Sequence, residues 1–203
     1  MRNKKLAVLG VAALAIALTT GCAKPPQVEI DGLNAAMAEA EAAQATTYAS
    51  DAWNAAQQAK NAVTAEVEAQ ANKFALFRSY TKTKELITAA NQAAAEAKNA
   101  AVAGKEAARN SANEAVAAAK ASVDAANAAL TELAACRRQP KDFKKDLEAM
   151  RGNLDGLAAG VAGLDSAVAS EDFLGAEAQA QTLKASVDAL TADMQAAKEK
   201  IKC

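Results

Sequence analysis

The most regular hydrophobic pattern in the chain covers residues 141–203. Apolar residues recur there at alternating spacings of four and three along two successive stretches, which are Phe143, Leu147, Met150, Leu154, Leu157, Val161, Leu164 and Val168, then Ala180, Leu183, Val187, Leu190, Met194, Ala197 and Ile201. This spacing is typical of a coiled-coil helix face. Ser170-Glu171-Asp172 separates the stretches and suits a helix N-cap followed by acidic residues. We therefore predict an antiparallel coiled-coil hairpin over 139–203, beginning at Gln139-Pro140.

The register of this hairpin predicts a disulfide at its base. If the turn is centred near 169–170, Leu157 faces Leu183, and Cys136 and Cys203 arrive at the same end. A bridge between these cysteines would close a long loop and add about 4 kcal/mol of stability in the chain-entropy model. Two unpaired thiols, or pairing between chains, are the alternatives.

Charge is unevenly distributed along the same hairpin. The base is rich in lysine and arginine, whereas no lysine or arginine occurs from Val161 to Ala180, where the tip carries several acids. A basic end could bind lipid phosphates or an acidic partner, but solvated flanks of a coiled coil are the favoured explanation of the pattern. Glycines at 152, 156 and 160 sit four apart among polar residues, so we expect a close-packing face or a locally weak helix.

Residues 31–138 carry a weaker helical pattern built largely from alanine. We expect Asp31 to cap a first helix that buries Leu33, Met37 and Ala40 and runs to about Ala49. Ser50-Asp51 suits the N-cap of a second helix. The large apolar side chains of the region are then concentrated in one place, where we expect a core at a bend or helix contact: Phe74, Leu76, Phe77 and Tyr80.

From residue 87 onward the repeat consists of small residues. The expected seam is Ile87, Ala90, Ala94, Ala97, Ala101, Gly104, Ala108, Ser111, Ala115 and Ala118, followed by a firmer one of Val116, Ala119, Val123, Ala126, Leu130 and Leu133. Ser111 and Glu114 have the spacing of a capping box, so a helix could restart near Asn110. The sequence leaves open whether 78–135 is one helix or two.

Composition supports an all-α fold and excludes several function classes. Apolar residues make up 52% of the chain but aromatic residues only 3%, which favours an elongated antiparallel helical bundle, since alanine forms helices readily but fills a core poorly. The chain contains no histidine, the commonest general base and metal ligand. No nucleophile–base pair, metal-ligand spacing or phosphate-binding glycine loop stands out. We therefore expect no enzyme activity, cofactor or small-molecule substrate.

The N-terminal residues predict export and lipid attachment. Arg2, Lys4 and Lys5 precede an uncharged apolar run over 6–18, and Thr19-Thr20-Gly21-Cys22 follows. A basic start, a short apolar run and small residues are typical of a secretory signal, and this run is too short for a membrane span. The segment 18–22 resembles a bacterial lipobox, so 1–21 is predicted to be a lipoprotein signal peptide and Cys22 the lipidated residue. An ordinary signal peptide with a chance cysteine is the alternative.

Removal of the leader changes both the charge and the start of the folded chain. The mature chain would keep 20 basic against 24 acidic residues once Arg2, Lys4 and Lys5 are lost, a balance that argues against nucleic-acid binding. Pro25-Pro26 predicts an extended tether over 22–30.

Cys22, Pro25-Pro26 and the alanine-rich run through Tyr48 to Trp53 resemble a family of bacterial alanine-rich lipoproteins of unknown function, some of which are fused to peptidoglycan-binding modules. The chain also resembles murein lipoproteins, in which a lipidated cysteine is followed by a coiled coil of small residues. The resemblance implies attachment to the cell envelope, and Ala23 after the cysteine implies the periplasmic face of the outer membrane. We thus expect a lipid-anchored structural or adaptor protein with protein partners or self-association. A periplasmic lipid- or client-binding helical module is the alternative.

Overall fold

In the computed structural model, which describes residues 23–137 and 140–203, the chain is all-α. The described residues form six helices and one short 3-10 turn, Ala75–Phe77, and contain no strand. The helices are α1 (Gln27–Ala42), α2 (Ala45–Tyr48), α3 (Ser50–Ala71), α4 (Thr81–Ala134), α5 (Phe143–Ala169) and α6 (Phe173–Lys200). The predicted fold class is confirmed. The chain divides into two compact units, 1–104 and 105–203.

Unit 1 contains α1, α2, α3 and the first part of α4. Its core consists of Leu33, Met37, Ala40, Ala45, Ala56, Val63, Ile87, Ala90, Ala94, Ala97 and Ala101. The sequence pattern predicted Leu33, Met37 and Ala40 of the first helix and the seam from Ile87 to Ala101. Trp53 is half-buried against this cluster. Because most of these side chains are methyl groups, neighbouring helix backbones must lie close together to exclude water. Gly104 illustrates this, since a Cβ added there would collide with the backbone carbonyl oxygen of Tyr48.

The start of unit 1 differs from the prediction in three places. Helix α1 begins at Gln27, with Pro26 at its N-cap, so the tether predicted over 22–30 is shorter than expected. Proline is compatible with a helix start because the first N–H groups have no partner within the helix. Asp31 is therefore inside α1, where it accepts a hydrogen bond from the Gln27 side chain at 2.9 Å. The first helix also ends early, at Ala42, where Gln44 adopts φ 63°.

The N-cap predicted at Ser50-Asp51 was also wrong by one residue. Ala49 occupies that position, and no side chain caps α3 there.

Helix α4 is a single helix, which answers the question left open for 78–135. The restart that the spacing of Ser111 and Glu114 allowed near Asn110 does not occur, because no proline interrupts 81–134 and one glycine costs only about 1 kcal/mol. The small-residue seam follows the prediction as far as Ala108 and then shifts by one position. Ala112 is buried whereas Ser111 is exposed, and the seam continues through Val116 and Ala119.

Unit 2 is a three-helix arrangement of the second part of α4 with α5 and α6. The α5–α6 hairpin forms as predicted, but its apolar seam also packs on α4. Two core clusters combine all three helices: Ala126, Leu130, Leu133, Phe143, Leu154, Val187 and Met194, and Val116, Ala119, Val161, Leu164 and Ala180. The domain boundary predicted near residue 139 thus lies inside unit 2. A two-helix seam containing leucine and valine at both edges buries more apolar surface when a third helix covers it.

The turn between α5 and α6 lies at the predicted place but uses a different cap. Asp172 is the N-cap of α6, and its carboxylate accepts a hydrogen bond from the Gly175 backbone N–H at 3.2 Å. Ser170, the predicted cap, instead donates its hydroxyl to the Ala167 carbonyl oxygen at 2.9 Å. Glu171 reverses the chain with φ 63°.

Candidate functional site: the aromatic loop and the hairpin disulfide

Cys22, the predicted lipidation site, lies outside the described residues, as does the predicted signal peptide. The first described residues, Ala23 and Lys24, are exposed. They line a surface groove together with Ser79, Tyr80 and Thr81, at the entry to α4. The residue that follows Cys22 therefore lies beside the segment that joins α3 to α4.

That segment, residues 72–80, is named the aromatic loop here. Its side chains contradict the predicted aromatic core, because Phe74, Leu76 and Phe77 are 70%, 59% and 75% exposed. Only Tyr80 is buried. The bend was predicted correctly, but the 3-10 turn directs the large side chains into solvent. The two phenyl rings lie together, with centroids 6.3 Å apart.

Specific polar contacts fix the backbone of the aromatic loop. The buried Gln70 side chain accepts a hydrogen bond from the Ser79 backbone N–H at 3.1 Å and donates one to Glu66 at 2.7 Å. Arg78 donates to the carbonyl oxygens of Lys73 and Ala71 at 3.0 and 2.8 Å, so it satisfies carbonyls at the end of α3. The exposed phenylalanines are therefore carried on a braced turn.

An ion pair supports the same bracing. Lys82 Nζ lies 2.8 Å from Glu66 Oε2, and the Glu66 side chain is only 12% exposed. The hydrogen bond from Lys82, followed by that from Gln70, lowers the pKa of Glu66 below its ordinary value. The same partner raises the pKa of Lys82. This pair joins the last turns of α3 to the first turn of α4.

At the other candidate site, the structure joins Cys136 to Cys203 by a disulfide, with Cα atoms 5.6 Å apart. Cys136 follows the end of α4, and Cys203 follows the end of α6. The bridge therefore joins the C-terminal ends of α4 and α6. These two helices run in the same direction, and α5 lies between them in the sequence. Nearby, Lys198 Nζ lies 2.7 Å from Glu132 Oε2, and its hydrogen bond lowers the pKa of Glu132.

The acidic tip predicted for the hairpin is partly paired by α4. Lys105 lies 2.6 Å from Glu171, and Lys120 lies 2.8 Å from Asp165. The sequence pattern of the hairpin could not reveal these two pairs, because both lysines belong to α4, the third helix of unit 2. The acids at the tip are therefore partly neutralised by lysines of α4.

The glycines at 152 and 156 do not form the expected close-packing face. A Cβ added at Gly152 or Gly156 would meet no atom within 4 Å, whereas one at Gly160 would lie 3.1 Å from Leu183. Gly152 and Gly156 line an open groove between α5 and α6.

Across residues 23–137 and 140–203, no group of three potential metal ligands converges. Within the same described ranges, no helix combines the length and apolar character that crossing a bilayer requires. Comparison of the chain with protein-family models, curated proteins and solved structures finds no match.

Sequence reasoning missed the aromatic loop as a surface feature. The available signal was the order Lys73-Phe74-Ala75-Leu76-Phe77-Arg78, a short apolar run between two cations. It also falls where the helical periodicity of α3 stops. A run that is too short to form a helix and is flanked by charges is as compatible with exposure as with burial.

Proposed function

We propose that the protein is a non-enzymatic, lipid-anchored component of the bacterial cell envelope, which acts as a structural or adaptor element. The cysteine inventory carries this proposal. Two of the three cysteines are paired with each other, and the third, Cys22, lies in the lipobox-like sequence. Disulfides persist mainly in oxidising compartments outside the cytoplasm, where the predicted export signal would deliver the chain.

The working surfaces in this proposal are helix faces. The described charged residues lie mainly on exposed faces, and several form pairs between helices, such as Lys98 with Glu39 at 2.8 Å. Such faces can bind another protein or a second copy of the chain through packing and complementary charge. Ala23 after the lipidated cysteine favours the periplasmic face of the outer membrane.

Lipid attachment is tested by metabolic labelling with an alkyne fatty acid in a bacterial host, followed by intact-mass measurement. We expect label on the native chain and none on Cys22→Ser. The double variant Cys136→Ser/Cys203→Ser is the matched control and should keep the label, because its cysteines lie outside the lipobox. Equal labelling of Cys22→Ser and the native chain, or an unlabelled native chain that is freely soluble, would refute the anchor.

The adaptor role is tested by crosslinking in cells with a photoreactive residue at exposed helix positions, followed by mass spectrometry. A discrete set of envelope proteins, or the chain itself, crosslinked from one helix face is the expected result. Crosslinks spread evenly over unrelated proteins from every face would contradict a specific adaptor role.

A further inference from the structure

The aromatic loop concentrates exposed apolar surface in a way that the rest of the described chain does not. Six large apolar side chains in the described residues stay exposed, and Phe74, Leu76 and Phe77 are three of them within four consecutive positions. Single exposed apolar residues are ordinary, but a contiguous apolar patch marks a binding surface. The braced backbone of the loop prevents these side chains from folding back into the core of unit 1.

The position of the aromatic loop indicates what covers it. Ala23 and Lys24 share a groove with Ser79, Tyr80 and Thr81, and Cys22 is one peptide bond before Ala23. Consecutive Cα atoms are about 3.8 Å apart, so an acyl anchor on Cys22 would be attached within one residue of the groove that the end of the aromatic loop lines. A bilayer that received the anchor would therefore be an apolar phase close to this loop.

The charges around the aromatic loop fit a phospholipid surface. Lys73 and Arg78 flank the apolar run, and Lys24 and Lys84 line the groove. Three acids lie close by: Glu85 in the groove, Glu29, which pairs with Lys84 at 3.1 Å, and Glu66, which pairs with Lys82 at 2.8 Å. Aromatic and aliphatic side chains bordered by cations are typical of segments that lie in the headgroup region of a membrane.

We infer that the aromatic loop is a second membrane contact, whose Phe74, Leu76 and Phe77 enter the interfacial region of the bilayer that holds Cys22. This inference rests on the proposed lipid anchor for its orientation. Acyl chains on Cys22 would hold the protein at the bilayer without fixing its orientation. The loop would add a second contact and would fix which side of unit 1 faces the membrane.

The direct test measures insertion by tryptophan quenching. Trp53 is the sole tryptophan, so Trp53→Phe provides a silent background in the full lipidated chain. Phe77→Trp is then added in one sample, and Val102→Trp, at an α4 position that is 59% exposed, in a matched control. Both are reconstituted in phosphatidylethanolamine–phosphatidylglycerol vesicles that contain brominated acyl chains. We expect strong quenching for Phe77→Trp and little for Val102→Trp.

A second measurement tests whether the contact adds affinity. The mature chain, residues 22–203, carrying Cys22→Ser is mixed with the same vesicles and sedimented, so that neither the predicted leader nor an acyl group contributes to binding. Adding Phe74→Ser/Phe77→Ser should lower its partition coefficient at least about tenfold, since two partly buried phenyl groups are lost, whereas adding Val102→Ser should not. Both substitutions replace exposed side chains, and circular dichroism checks that each variant stays folded.

The outcomes separate this inference from the proposed anchor. Quenching at Phe77→Trp supports the membrane contact even if intact-mass measurement finds no acyl group on Cys22, a result that would remove only the anchor. An acylated chain with equal quenching at both positions, or with unchanged partition of the serine variants, overturns the contact and leaves the anchor standing. Shielding of the loop without vesicles, in a dimer or client complex that Phe74→Ser/Phe77→Ser dissociates, also overturns it.

Discussion

Reduction of the bridge between Cys136 and Cys203 should destabilise unit 2 by a calculable amount. The two cysteines are 67 residues apart, and the loop between them contains the whole of α5 and α6. In the chain-entropy model, a closed loop of this length lowers the conformational entropy of the unfolded chain enough to stabilise the native state by about 4 kcal/mol. Such a loss is a large part of the stability of an ordinary domain.

Comparison of the oxidised with the reduced native chain isolates this effect, because Cys136 is buried and its replacement would add a packing change. Hydrogen exchange by mass spectrometry should show protection in α5 and α6 falling by about three orders of magnitude on reduction, where exchange proceeds through opening of unit 2. Urea unfolding followed by circular dichroism provides the independent free energy.

Two controls define the result that would refute this reasoning. Cys22→Ser should leave the effect of reductant unchanged, whereas Cys136→Ser/Cys203→Ser should abolish the response to reductant. A difference below about 1 kcal/mol between oxidised and reduced native chains would show that the bridge does not restrict the unfolded chain as calculated. Alkylation of two cysteines in the unreduced mature protein would show that the bridge is not formed.

Three further predictions concern packing and pH. Leu154→Ala should destabilise unit 2 by about 2–5 kcal/mol in urea unfolding, because Leu154 is 1% exposed at the contact with α4 and α6; a loss below 1 kcal/mol would contradict that packing. Gly152→Ala should raise stability by up to about 1 kcal/mol, since its Cβ enters open space, whereas Gly104→Ala should lower it through a backbone collision; the same sign for both would be inconsistent with the structure. Because folding lowers the pKa of Glu66, its ion pair with Lys82 should stabilise the protein fully above pH 4.5, the ordinary carboxyl pKa. This stabilisation should be lost as the pH falls through the lowered pKa of the folded protein. Lys82→Met should raise the Glu66 pKa measured by NMR titration, and an unchanged pKa would exclude the pair.

Local periodicity predicted the parts of the fold in which apolar residues recur at spacings of three and four. The α5–α6 hairpin, the buried face of α1 and the seam of α4 from Ile87 to Ala108 all follow from the spacing of apolar residues. A helix presents residues three and four apart on one face whatever packs against it. The same register brought Cys136 and Cys203 to one end of the hairpin, where the structure joins them.

The candidate site was only partly accessible to such reasoning. The proposal for Cys22 rests on a linear motif and does not depend on the fold. The exposure of Phe74 and Phe77 depends instead on the hydrogen bonds that Gln70 and Arg78 make across the turn. These contacts join residues on either side of the bend, and residue spacing does not encode whether the side chains between them point inward or outward.

The sequence by itself thus determined that this chain is helical, where its strongest seams lie and which cysteine belongs to the lipobox-like motif. Only the tertiary structure decided that α4 passes through residue 104 without a break, that its second part completes unit 2, and that Ala112 replaces Ser111 in the seam. The physical reason lies in the abundance of alanine. When nearly every face of a helix offers a methyl group, local pattern hardly distinguishes one face from the next, and the leucines, valines and aromatic residues of the packing partner select the face that is buried.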